Sequence, residues 1–130
     1  MSNEFWYLAT PYSKWPHGIH DAFCEAAKAA AEMLKRGHIV YSPIAHTHPI
    51  ATHGGIDPLD HSIWLPFDGA MMAAAAGLYV VQMPGWDQSK GIAHEIAVFE
   101  AAGKPVHYVT WPDLIDRPAP GDRPKTQDRE

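Results

Sequence analysis

Four short apolar segments of strand length, at 5–9, 38–42, 78–83 and 106–110, are separated by stretches with helical composition and periodicity. This βαβαβαβ alternation predicts an α/β fold: a doubly wound parallel sheet, Rossmann-like or flavodoxin-like, with right-handed crossovers and helices on both faces. A length of 130 residues, 46% of them hydrophobic, suffices for one core and leaves no room for a second. The single domain is expected over residues 1–115. Residues 116–130, rich in Pro, Asp, Arg and Lys, are expected to be a disordered tail.

Each element follows from local chemistry. Residues 5–9 (Phe-Trp-Tyr-Leu-Ala) suit a buried strand, and Thr10 to Gly18 form the loop at its carboxyl end. From Ile19 to Arg36 apolar side chains recur at spacings of three and four (Ile19, Ala22, Phe23, Ala26, Ala30, Met33, Leu34), which predicts an amphipathic helix stopped by Gly37. The second strand, 38–42, is followed by residues 43–58, whose His, Thr and Gly-Gly content reads as a long loop. Asp60 is placed to cap a helix reaching Ala76, with Pro66 bending it early and Met71 and Met72 facing the sheet. The third strand leads through Pro84-Gly85 into a helix over 89–102, and Gly103-Lys-Pro105 ends that helix before the last strand.

Composition excludes several classes of function. A net charge of −5 and a pI near 5.9 argue against nucleic-acid polymers and acidic membranes as partners, since both require a basic face. The lone Cys24 lies in an Ala-rich helical stretch and reads as an inert thiol. No leader and no apolar run of about 18 residues is visible, so a cytoplasmic location without membrane attachment is expected.

The most informative motif is Ser89-Lys-Gly-Ile-Ala-His-Glu95. It opens a helix after an apolar strand, where parallel sheets collect ligands and where helix N-termini offer unpaired N–H groups to anions. Ser89, Lys90 and Gly91 would hold an anionic group there, and Glu95 lies about one and a half to two turns further on, as a mostly exposed acid of the cleft. The alternative for Glu95 is a solvated acid on the helix surface, and for Ser89 an N-cap, a role compatible with ligand binding.

Three motifs in order carry a family resemblance: Tyr7-Leu-Ala-Thr-Pro-Tyr12-Ser13, Asp68 before a helix and an apolar strand, and the Ser89 to Glu95 segment followed by Gly-Lys-Pro. Across residues 5–110 the chain resembles the nucleoside 2-deoxyribosyltransferase superfamily, including its nucleotide-hydrolysing members. The resemblance implies that Glu95 is a nucleophile that attacks the anomeric carbon, that Asp68 assists protonation of the departing base, and that Tyr7 orients Glu95. It also implies that Ser89, six before the nucleophile, marks acceptance of a 5′-monophosphate where an Asp would bind a free sugar hydroxyl. Thr10 stands where the family often has Gly, and the loop containing His46-Thr-His48-Pro is not a feature of the characterised transferases. A homo-oligomer is expected from the family and from the apolar helix faces.

The remaining candidates carry a choice. Thr10, Tyr12 and Ser13 either close the first loop or line the ligand site at the edge of the sheet. His46, His48, His53 and His61 read as donors to phosphate or sugar on a lid-like loop, or as metal ligands, although no His-Glu-x-x-His helix or Cys partner supports the latter. Trp86 and Trp64 could stack on a base or fill the core. The expected activity is cleavage, by hydrolysis or base transfer, of the N-glycosidic bond of a nucleotide or nucleoside, with no cofactor, since this chemistry has no step that requires a Lewis acid. Phosphoribohydrolase activity of the cytokinin-activating kind is the nearest enzymatic rival, though its Pro-Gly-Gly-x-Gly-Thr turn is matched only by Pro84-Gly85. A non-catalytic nucleotide-binding module and a metal-dependent hydrolase using the His loop are the alternatives from other classes.

Overall fold

The computed structural model describes residues 3–112, so the expected tail at 116–130 and the end of the expected domain lie outside the described residues. Strands β1 (Trp6–Ala9), β2 (Val40–Tyr41), β3 (Leu78–Gln82) and β4 (Val106–Thr110) form one sheet in the order β2-β1-β3-β4. Every pairing is parallel, as the strand–helix alternation requires. The helices are α1 (Ile19–Lys35), α2 (Pro43–Gly54), α3 (His61–Ala74) and α4 (Lys90–Ala101), with a short 3₁₀ turn at Trp86–Gln88. Among the described residues no helix is long and apolar enough to cross a membrane.

Strand alternation divides the core. Tyr7, Ala9, Leu78 and Val80 point to one face, where Met72 and Ala75 from the α3 end and Ile92 and Phe99 from α4 cover them. Leu8, Val81 and Met83 point to the other, against Ala22, Ala29 and Met33 of α1. The α1 stripe therefore runs through Ala22, Ala26, Ala29 and Met33, and Leu34, expected inside, is 56% exposed. Small alanines let α1 lie close to the sheet, and Leu34 falls beyond the edge of that contact.

The expected loop at 43–58 is largely helix. Ser42 accepts a hydrogen bond from the Ala45 amide (3.2 Å), Pro43 occupies the first turn, and Gly55 ends α2 at φ 71° with its N–H on the Ala51 carbonyl. These are strong start and stop signals for a helix. What hid the element is its weak amphipathic pattern and the internal Pro49. Helix α3 likewise continues unbroken through Pro66, capped by Asp60, which accepts from the Ser62 amide (3.1 Å) and hydroxyl (2.6 Å).

Two contacts set the helices relative to one another. Lys104, in the turn after α4, donates to the Met72, Ala73 and Ala75 carbonyls at 3.0, 2.8 and 2.7 Å, satisfying the C-terminal end of α3. Gly85 has φ 89°, and a Cβ there would lie 2.7 Å from the Lys14 carbonyl oxygen, so only glycine lets the loop after β3 touch the loop after β1.

Replacing Lys104 by Met keeps the bulk but strands three carbonyls beside a positive charge's former place. The Lys104→Met variant is expected to lose about 2–4 kcal/mol of unfolding free energy in urea titrations. A loss below about 0.5 kcal/mol would show that the cap is not a structural clamp.

Candidate active site

The chain runs from β1 outward to β2, then crosses back to β3 on the other side of β1. Such a reversal opens a crevice at the carboxyl ends of β1 and β3, the usual ligand position in an open α/β sheet. A cavity of about 270 Å³ lies there. Thr10, Tyr12 and Ser13 after β1 contribute one wall, and Ser89, Lys90 and Gly91 at the start of α4 the opposite one. Asp68 from α3 and Glu95 from α4 both reach it. Ile44 and Thr47 of α2 and Leu59, Trp64 and Met72 supply much of the remaining surface.

The two carboxyl groups are the electrostatic centre. Glu95 retains partial exposure, yet the protein atoms around it exclude enough water to push its carboxyl up to about 8, with Asp68 adding a further repulsion and Tyr7 a smaller opposing effect. Glu95 is therefore not the largely solvated cleft acid expected, because it lies on the flank of α4 between Ile92 and Phe99, both buried in the core. Burial also raises Asp68 to about 6, while His46 and His94 pull it down. Between about pH 6 and 8 the pair retains one proton.

Tyr7 is fully buried beneath the cavity, and burial followed by Glu95 and Asp68 pushes its phenol far above the ordinary value, which keeps it a neutral donor. Its hydroxyl makes no regular hydrogen bond, although Glu95 is the ionisable group acting on it most strongly. Thr10 is also buried with an unpartnered hydroxyl on the cavity wall. Ser89 caps α4, accepting from the Ile92 amide at 3.1 Å, so its own O–H stays available to donate. The Lys90 and Gly91 amides, first in the helix, have no intrahelical acceptor. Lys14, His61 and His94 also reach the cavity and, with Lys90, give its mouth cationic or ionisable groups that the sequence motif shows only in part.

Four expected roles change. His48 is buried away from the cavity, its ring stacked on Phe23 of α1 at 4.7 Å and its Nδ1 2.6 Å from the Tyr12 hydroxyl. Burial, then His20, lowers its pKa, and through its hydrogen bond with the Tyr12 hydroxyl His48 fixes the Tyr12 loop instead of meeting a ligand. His46 does not line the cavity either; it stacks on Phe67 at 5.3 Å and acts on Asp68 through its charge. Trp86 packs against Tyr108 and the core, whereas Trp64 lines the cavity with its indole N–H held by the Asp57 carbonyl at 3.0 Å. Finally, the His-bearing segment is a packed helix and not a lid, and among the described residues no group of three or more His, Cys, Asp or Glu side chains is arranged to hold a metal ion.

Residues 4–111 match a protein family described as a domain of unknown function, DUF1937. The chain belongs to the DUF1937 family. No curated protein matches it. The DUF1937 match spans all four strands and every residue placed in the cavity.

The raised carboxyls also set a stability profile. Glu95 goes from 4.5 to about 8 and Asp68 from 3.8 to about 6, so the folded state binds more protons than the unfolded chain. Their contribution is therefore most favourable at acid pH and is lost as pH rises through the folded values. Urea midpoints of the parent are expected to fall as pH rises from about 4 to about 8 and to level off above that, and Glu95→Gln is expected to flatten that fall and gain about 2–4 kcal/mol at pH 9. An equal fall in both proteins would mean that Glu95 is ordinarily hydrated.

Proposed function

We propose that this protein cleaves the N-glycosidic bond of a nucleoside 5′-monophosphate, by hydrolysis or by transfer to a second base. One observation carries the reading: two carboxyls with raised pKa values share a cavity with a helix N-terminus whose amides and serine hydroxyl are free to bind an anion. The family resemblance of the Tyr7, Asp68 and Ser89-to-Glu95 motifs supports the same assignment.

The chemistry follows from the placement. The 5′-phosphate would sit against the Ser89 hydroxyl and the Lys90 and Gly91 amides, with Lys90 and Lys14 adding charge. A Glu95 carboxylate oxygen forms a bond to C1′ as the C1′–N bond breaks, and the electron pair leaves with the base, which takes a proton from Asp68. Water or a second base then attacks C1′, giving its proton to the Asp68 carboxylate, breaking the ester and restoring both the Glu95 carboxylate and the Asp68 acid. Tyr7, a neutral donor beneath the cavity, holds the attacking carboxylate in line. Trp64, pinned by Asp57, offers a flat apolar face for the base.

In the free protein burial raises Glu95 as well as Asp68, whereas attack requires a Glu95 carboxylate beside a protonated Asp68. Substrate corrects this: positive charge developing on the sugar favours a carboxylate at Glu95, and a base packed over Asp68 withdraws water from it and favours its acid form. The productive enzyme is thus the singly protonated pair.

The test is base release from a panel of nucleoside 5′-monophosphates and the matching nucleosides. The monophosphates are expected to react with higher kcat/KM, with a bell-shaped pH profile whose limbs lie near the pair's values of about 6 and about 8. Glu95→Ala is expected to remain folded and to lose at least about a thousandfold in rate. Base release by a folded Glu95→Ala protein at near the parent rate would end the nucleophile assignment, and no release from any member of the panel would favour a binding module.

A further inference from the structure

Tyr41 received no role from its sequence, yet it stands beside the chemistry. It ends β2 and is the direct register partner of Tyr7 on β1, so both side chains emerge on the same face of the sheet, with ring centroids 5.7 Å apart. Its ring is wedged against Phe5 (6.2 Å), His46 (5.8 Å) and Phe67 (6.4 Å). Phe67 immediately precedes Asp68 on α3, so this wedge brings the phenol against the segment that presents the carboxyl. The hydroxyl end of Tyr41 is buried and has no hydrogen-bond partner among the described residues, and neither has Asp68 Oδ1.

Two buried groups of opposite need therefore lie in one region: a phenol that must donate and a carboxyl oxygen that must accept. Native structures rarely leave such atoms unpaired. The electrostatics agree with their proximity, since Asp68 is the ionisable group that acts on Tyr41, which burial first and Asp68 second keep well above the ordinary phenol range. The other titratable groups around Asp68 are His46 from α2 and His94 from α4, which favour its charged form, Glu95 from α4, which shares its field, and Tyr7 from β1, on which Glu95 acts more strongly than Asp68 does.

We propose that Tyr41 is the positioning residue of Asp68, donating its hydroxyl hydrogen bond to Oδ1 across at most one bridging water, as a counterpart to Tyr7 beneath Glu95. Two register-paired tyrosines then serve two carboxyls. The donor orients Asp68 and stabilises its carboxylate, the form left after the proton goes to the leaving group. The consequence for turnover rests on the glycosidic reading above, but the hydrogen bond itself does not.

The experiment follows the Asp68 side-chain carboxyl by ¹³C NMR from acid to neutral pH in the parent and in Tyr41→Phe. Loss of a donor to the charged form is expected to raise the Asp68 midpoint by about half a unit or more; a smaller change, or a fall, would overturn the assignment. A second reading needs no change at Tyr41. The Tyr41 ¹³Cζ resonance is expected to inflect at the Asp68 midpoint, and in His46→Gln, where loss of a nearby positive charge raises that midpoint, the Tyr41 inflection must rise with it. A Tyr41 signal that stays flat, or that follows His46 instead, would also overturn the proposal. For any monophosphate that the parent cleaves, Tyr41→Phe is expected to lower kcat several-fold with KM little changed. Failure of every substrate would leave the two titrations standing, so the two ideas fail separately.

Discussion

The rest of the molecule is arranged around the cost of keeping two carboxyl groups together where little water reaches them. Burial raises both Glu95 and Asp68, and the charge of Asp68 adds to the reluctance of Glu95 to ionise. A sheet whose strand order reverses between β1 and β3 provides a crevice for such a pair without opening the core. The helices that carry the acids are then held by contacts outside the crevice. Lys104 ties the end of α3 to the turn that follows α4, so the element bearing Asp68 and the element bearing Glu95 are fastened at one corner. Gly85 and the Ser89 cap perform a similar service at the opposite end of α4, where the first amides of the helix face the cavity.

Polar side chains below and beside the pair have correspondingly narrow roles. Tyr7 stays neutral because it is buried and its neighbours are acidic, and a neutral phenol can serve a carboxylate as an orienting donor. His48, which from its sequence resembles a ligand-binding residue, is instead the buried hydrogen-bond partner that secures Tyr12 and with it the loop after β1. Histidines close together in sequence thus separate in space: one braces a loop, and another, His46, tunes Asp68 from behind Phe67. The cavity owes its cationic and ionisable rim to other residues, notably Lys14, Lys90, His61 and His94.

Much of the architecture was legible because it depends on local chemistry. The strands announce themselves as apolar runs, α1 by its periodic apolar positions and the Gly37 stop, α4 by its Ser89 cap and the Gly103 stop, and the Ser89-to-Glu95 segment by the strand–turn–helix context in which it occurs. Helix α2 was not legible, since Pro49, threonine and three histidines blur its amphipathic face, although Ser42-Pro43 at its start and Gly54-Gly55 at its end were usable signals. Side-chain direction was harder still. Whether Trp64 or Trp86 meets the cavity depends on the orientation of α3 and of the 3₁₀ turn, which no local pattern specifies. Tyr41 escaped notice for the same reason: it matters only because β2 pairs with β1 in a register that sets it beside Tyr7. A tyrosine at the carboxyl end of a strand neighbouring a candidate catalytic strand is the signal that could have found it.

The central claim is covalent catalysis by Glu95 within a carboxyl pair, and a trapped intermediate tests it most directly. The parent protein would be mixed with each nucleoside 5′-monophosphate that releases its base, quenched with acid within milliseconds, and mapped by peptide mass spectrometry. The account predicts a transient ester of the sugar phosphate on the peptide containing Glu95, decaying as free sugar phosphate or a new nucleotide forms. Base release with the added mass on another residue, or with stereochemical inversion at C1′ and no added mass at any quench time, would contradict it.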